Sequence, residues 1–173
     1  TVAFNAFTAG NTGNNTVTVT LPSDDFSSDN TLAIAQEITN NAYSYAYGTI
    51  PTNGVGLNGT TGDFVAMFTT SAATSVNQVG VNFSAGGQPF RIGIWDKSGN
   101  GAPGNLLWES TDQVSTAGVF TLPISPAIPI TDTFYIGVRQ IGTVNIQFSY
   151  QAENPIRSGT FFFTSPSGNT SWT

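Results

Sequence analysis

FYIGVRQ and VNIQFSYQ, residues 134–140 and 144–151, decide the fold class of this chain. In the first run Phe134, Ile136 and Val138 alternate with other residues, and in the second Val144, Ile146, Phe148 and Tyr150 do the same. A period of two is that of a strand with one face buried, and the aromatic and β-branched residues in both runs suit a pleated surface. Ile141-Gly142 between them predicts a hairpin.

The same alternation recurs on both sides. Upstream it marks strands at Asp63 to Thr70, Val76 to Phe83 and Phe90 to Trp95. In the last of these Phe90, Ile92 and Ile94 share one face, which sends Trp95 to the other. Asp96 to Gly104, DKSGNGAPG, has the Gly, Asn, Asp and Pro of a tight connection. Leu106 to Glu109 and Val119 to Leu122 follow as short strands. Pro123, Pro126 and Pro129 then restrict their stretch to a sheet edge or to no strand at all. Downstream, Phe161 to Phe163 predict one more strand before a Ser/Pro/Gly/Asn turn and Trp172.

The first third of the chain is less regular. Residues 1–30 are polar and turn-rich around one alternation, Thr16 to Leu21, in which Val17, Val19 and Leu21 share a face. TLAIAQEI, Thr31 to Ile38, alternates at Leu32 and Ile34, while Ile34 and Ile38 also fit one face of a helix; a strand is the preferred reading. Tyr43, Tyr45 and Tyr47 alternate with small residues, so a strand there presents three phenols in a row, and Pro51 to Gly62 reads as a loop. About ten strands separated by turns predict an all-β fold, an antiparallel two-sheet β-sandwich or jelly roll. No repeat or linker divides it, which predicts one domain over residues 1–173, with residues 1–30 as a loosely attached N-terminal strand segment.

Composition agrees. The chain has 173 residues, enough for a core, and only 8% are charged, against 39% hydrophobic and 12% aromatic. Its 25 Thr, 19 Gly, 9 Pro and 13 Phe are residues of strands and turns. The net charge is −6, and Arg91, Lys97, Arg139 and Arg157 are scattered, which leaves no footprint for nucleic acid or an anionic membrane. No run reaches the 18 or so apolar residues that span a bilayer, and no basic-then-apolar leader stands at the start, so a soluble chain is expected. The sparse lysine and abundant Asn, Thr, Gly and Ser point outward, to an extracellular or cell-surface location.

Without His or Cys, imidazole bases, thiolate nucleophiles and zinc-thiolate sites are excluded. A glycosidase would need two carboxylates facing across a cleft, drawn from Asp24, Asp25, Asp29, Asp63, Asp96, Glu109 and Asp112. Ten acids on a surface of this size need no catalytic explanation, and the chain is expected not to be an enzyme. Asp96, Ser98 and Asn100 followed by Gly101 imitate the first half of a calcium loop. The second half fails: position 12 is Leu107, and Glu109 falls two places late. Calcium at this loop competes with an ordinary polar turn, and Asp24, Asp25 and Asp29 form a similar oxygen-rich cluster. Trp95, Trp108 and the row Tyr43, Tyr45 and Tyr47 are candidates for a sugar-binding platform, since flat rings pack on pyranose faces. Core filling is the competing role of the same rings. Asn14, Asn58, Asn82 and Asn169 begin N-x-S/T sequons. Lys97, the one lysine, falls in a predicted turn, where it is ill placed for a buried isopeptide crosslink.

IGIWDKSGNGAPGNLLWES, then TDTFYIGVRQIG, then SGTFFFTSPSGNTSW together resemble β-sandwich modules of secreted multidomain proteins in the Bacteroidetes group. The shared pattern is a strand leading through a D-x-x-G-x-P-G-like loop to L-L-(Y/W), a later F-Y-(I/V)-G-V strand and a closing Trp. It covers roughly residues 76–172. The resemblance implies an extracellular, often surface-tethered, non-catalytic module for adhesion or glycan binding, and it supplies no catalytic residue. Another apolar strand follows the closing Trp in such modules, whereas this sequence stops at Thr173. That predicts either a trimmed sequence or a sheet edge completed by a strand from a neighbouring copy, with Val17, Val19 and Leu21 of the N-terminal segment as the donor. The leading expectation is therefore a surface module for adhesion or self-assembly, including a filament subunit built by strand exchange, with other copies, surface glycans or proteins as partners. A carbohydrate-binding module is the second expectation and a carboxylate-based glycosidase or lyase the third.

Overall fold

The best alternation in the sequence becomes the centre of the larger sheet. In the computed structural model, which describes residues 11–46, 53–151 and 157–173, β10 (Phe134–Gln140) pairs antiparallel with β4 (Gly62–Phe68) on one side and β6 (Pro89–Trp95) on the other. Outside β4 lies β12 (Phe161–Thr164). Outside β6 lie β7 (Leu106–Glu109) and the two-residue β8 (Gln113–Val114). The second sheet runs in the order β3 (Gly54–Val55), β11 (Phe148–Ser149), β5 (Thr74–Phe83), β9 (Gly118–Ile130). Twelve strands and one 3₁₀ turn make up the regular structure of the described residues, all strand pairs are antiparallel, and the all-β expectation holds. Among these residues no helix is long and apolar enough to cross a membrane.

Period two explains the core. Phe90, Ile92 and Ile94 of β6 and Val138 of β10 point inward and are buried against Phe83 and the inward side chains of β5 and β9. Phe90 meets Phe83 at 4.9 Å and Phe120 edge-on at 5.2 Å between centroids, so one layer of rings joins the sheets as in a sandwich. β9 carries Pro123, Pro126 and Pro129 and is an edge strand, as a residue without an N–H requires. Its register against β5 jumps from Gln78–Pro123 to Val76–Ile128, which places the extra residues in a bulge while Ile124 stays buried.

Three local expectations are corrected. The hairpin through Ile141-Gly142 does not form: after Gln140 the chain leaves the first sheet, buries Ile146 and reaches the second sheet at β11. The fully buried Gln140 side chain makes this crossing. Its carbonyl accepts the Leu57 N–H at 2.9 Å, and its NH₂ donates to the carbonyls of Leu57, Gly142 and Val144 at 2.8, 2.9 and 3.1 Å. Gln147 then takes a positive φ of 59°, and β3 packs so close that a Cβ on Gly54 or Gly56 would lie about 2.5 Å from the backbone or side chains of residues 145–147. The predicted loop over residues 51–62 thus contains the strand β3 among its described residues. Finally, Tyr43 and Tyr45 lie outside any strand, with Tyr43 exposed, and Tyr47 falls outside the described residues.

The chain divides into two compact units, Thr1–Tyr47 and Gly48–Thr173. In the first, β1 (Gly13–Thr20) pairs along its whole length with β2 (Thr31–Ile38), from Gly13–Ile38 to Thr20–Thr31. This ladder decides TLAIAQEI in favour of a strand. The connection contains a 3₁₀ turn at Ser27–Asp29, and Asp24 accepts the Phe26 N–H at 2.8 Å.

Candidate functional site

The outer face of the larger sheet carries charge in register. Asp63 of β4 lies opposite Arg139 of β10, which lies opposite Arg91 of β6. Asp63 is buried, with Arg139 Nε at 3.2 Å, the Gly168 N–H at 2.9 Å and the Ser167 hydroxyl as donors. Glu109 bridges the two arginines, 2.6 Å from Arg139 and 3.1 Å from Arg91, and Asp112 takes the other side of Arg91 at 2.6 Å. The Asp112 partner, with Glu109 behind it, raises the pKa of Arg91. The network ties four strands, β4, β10, β6 and β7, and the C-terminal segment together, and each carboxylate in it faces a guanidinium.

Trp95 points away from Phe90, Ile92 and Ile94, as its place in the alternation requires, yet it is only 4% exposed. Its ring folds back over Gly93, where an added Cβ would lie 2.3 Å from the indole. Arg139 stacks on it at 5.6 Å and Trp172 packs edge-on at 5.7 Å. With Val65 and Tyr135 it forms a small cluster on the outer face, where burial raises the Tyr135 pKa. Trp108 is on the opposite face of the same sheet, opposite Ile94, packed against the inter-sheet core. The two tryptophans therefore do not share a surface.

Asp96 and Ser98 do come together, at the closure of the β6–β7 connection. Asp96 Oδ1 accepts the N–H groups of Ser98 and Asn105 at 3.0 and 2.7 Å, and Oδ2 accepts from the Asn105 side chain at 3.2 Å. Partial burial raises the Asp96 pKa, but these donors outweigh it and hold the carboxyl below its ordinary range. Asn100 occupies a left-handed turn position, φ 51°, and here the carboxylate is saturated by N–H donors that a cation would have to displace. Lys97 pairs with Asp132, whose pKa is lowered by the Lys97 hydrogen bond and then by the Thr133 N–H. Among the described residues no three acids converge as a metal group.

The N-terminal hairpin presents a different surface. Its register sets Val17 opposite Ile34 and Val19 opposite Leu32, and a hydrogen bond from Leu21 N–H to Asn30 O adds one rung. One face thus collects Val17, Val19, Leu21, Leu32, Ile34 and Ile38; the other carries Thr16, Thr18, Thr20, Thr31, Ala33, Ala35 and Glu37. Leu21, Leu32 and Ile34 are 54%, 60% and 56% exposed. The candidate donor residues Val17, Val19 and Leu21 are therefore on a strand already paired along one edge. Sequence reasoning found this strand and missed the face as a unit, because Leu32 and Ile34 join Val17 and Val19 only through the cross-strand register. No family model, no curated protein and no solved structure matches the chain.

Proposed function

We propose that this chain is a non-catalytic extracellular surface module for adhesion or self-assembly, acting through its β1–β2 hairpin. The observation that carries the proposal is the hairpin's apolar face, exposed at Leu21, Leu32 and Ile34 and half-buried at Val17, Val19 and Ile38. A two-stranded hairpin alone is marginal in water, and apolar patches of this kind mark interaction surfaces. The charged groups support the same reading: Asp63, Glu109, Asp112 and Asp132 each face a cation, and Asp96 closes its own loop, arrangements that hold strands and turns in place. The surface composition and the resemblance of residues 76–172 to secreted sandwich modules favour the extracellular setting. Donation by the hairpin as a unit fits the pairing of β1 better than donation of β1 alone.

Light scattering of the full chain over a range of concentrations, with and without a calcium chelator, tests the proposal. Assemblies larger than one chain are expected, and their collapse on chelation would bring the acidic loops into the contact. A monomer at every concentration that also binds nothing on a glycan array would overturn it.

A further inference from the structure

We infer that Asn100 is a site of spontaneous covalent modification, at which the side-chain amide is lost to water through a cyclic imide and an aspartate or isoaspartate is left in the β6–β7 connection. The sequence holds three Asn-Gly pairs, Asn53-Gly54, Asn58-Gly59 and Asn100-Gly101, and in each the glycine has no side chain to shield its backbone nitrogen. The reaction begins when that nitrogen loses its proton to solvent base and bonds to the asparagine Cγ. Cγ expels its amide nitrogen as ammonia, which closes a five-membered imide. Water then adds to one of the two imide carbonyls. Breaking the C–N bond at Cγ gives aspartate, and breaking it at the backbone carbonyl gives isoaspartate. The sum is amide plus water to carboxylate plus ammonium, and solvent supplies the only co-reactant.

Local structure separates the three pairs. Ring closure turns the peptide that follows the asparagine, so it needs a glycine N–H and a side-chain amide that are both free to move. Exposure does not discriminate, since Asn53, Asn58 and Asn100 are all exposed. Asn58 is held at both points: its Oδ1 accepts the Asn145 N–H at 3.1 Å, and the Gly59 N–H donates to the Thr143 carbonyl at 2.7 Å. Gly54 belongs to β3, opposite Ser149, and a Cβ there would lie 2.5 Å from the Gln147 backbone, so its peptide has no room to turn. Asn100 is held at neither point. Among the described residues its side chain and the Gly101 N–H have no hydrogen-bond partner, and a Cβ on Gly101 would meet nothing within 4 Å. Both residues sit at the centre of the turn Gly99–Ala102, with φ of 51° and 90°, and one bond of 3.3 Å closes it, beyond the usual N–H···O range. The base of the loop is closed separately by Asp96 with Ser98 and Asn105, so the Gly101 peptide can turn without opening it. The new carboxylate is ionised at neutral pH and adds one negative charge to a chain already at −6; isoaspartate also lengthens the backbone of the turn by a methylene.

The full chain would be aged in mildly alkaline buffer made with oxygen-18 water, then digested and mapped by mass spectrometry, so that only carboxylates formed during ageing carry the label. Asn100 should take up label about tenfold faster than Asn53 or Asn58. A tenfold ratio corresponds to about 1.4 kcal/mol of barrier, which is about the worth of one hydrogen bond that the other pairs must first break. In urea those restraints are gone, and the three pairs should react at similar rates. Isoelectric focusing gives a second readout: the native protein should accumulate an acidic band with time. Asn100→Gln keeps the charge of the turn but would need a six-membered ring, and it should slow the growth of that band. Equal labelling of Asn100 and Asn58 in the native chain would overturn the inference. So would label at all three pairs in urea with none at Asn100 in native buffer, or an acidic band that grows unchanged in Asn100→Gln.

Discussion

Replacing Asp63 by Ala should loosen the C-terminal segment from the outer face of the larger sheet and cost about 3 kcal/mol of stability. The Asp63 side chain is 1% exposed and that of Arg139 13%, so the pair is removed from water. Removing one partner of a buried pair costs about 3–5 kcal/mol, because the other charge is left uncompensated. Here the lower end applies, since Arg139 keeps Glu109 at 2.6 Å and the Trp95 ring. The substitution also removes the acceptor for the Gly168 N–H and the Ser167 hydroxyl, which hold the segment leading to Trp172. Urea unfolding should show the midpoint falling with little change in slope. Iodide quenching in native buffer should rise, because Trp172 no longer covers Trp95. Ser167→Ala combined with Asp63→Ala should cost less than the sum of the single changes, since both delete one contact. A loss under about 0.5 kcal/mol with unchanged quenching would refute the reasoning, because surface pairs contribute about that little.

Further outcomes follow from other parts of the sandwich. Gln140→Ala should cost about 3 kcal/mol or more in urea unfolding, because it strands the Leu57 N–H and several loop carbonyls in a buried crossing. Gly93→Ala should cost about 1–3 kcal/mol and shift the tryptophan emission, since the added Cβ lies 2.3 Å from the Trp95 indole. The depressed Asp96 pKa means that its contribution to stability is full above its unfolded value near 3.9 and is lost as pH falls through the lower folded value. Amide exchange at Asn105 should accelerate over that acid range, and Asp96→Asn should flatten the dependence.

How much was legible in the sequence depends on whether neighbouring residues or distant ones fix each element. β10 runs over Phe134–Gln140 as its alternation predicts, and β9 is an edge strand as its prolines require, because period and missing N–H groups are local properties. The direction of Trp95 was legible for the same reason. Its burial was not, since that depends on Trp172 and Arg139, which arrive from far along the chain. The run Val144 to Gln151 alternates as well as β10 does, yet only Phe148–Ser149 is a strand, because the Gln140 amide and the close approach of Gly54 and Gly56 redirect the backbone.

The sequence by itself determined the class of this protein: strand periodicity, turn chemistry and the absence of His and Cys are written residue by residue. Which strands pair, which of two equivalent faces is covered, and whether an acid meets an arginine or water were decided by tertiary structure. Those outcomes depend on registers between segments up to about a hundred residues apart, as Asp63 with Gly168 shows. The hairpin face joins both levels. Alternation placed Val17 and Val19 on one side of a strand, and the ladder with β2 brought Leu32 and Ile34 beside them to make one apolar face.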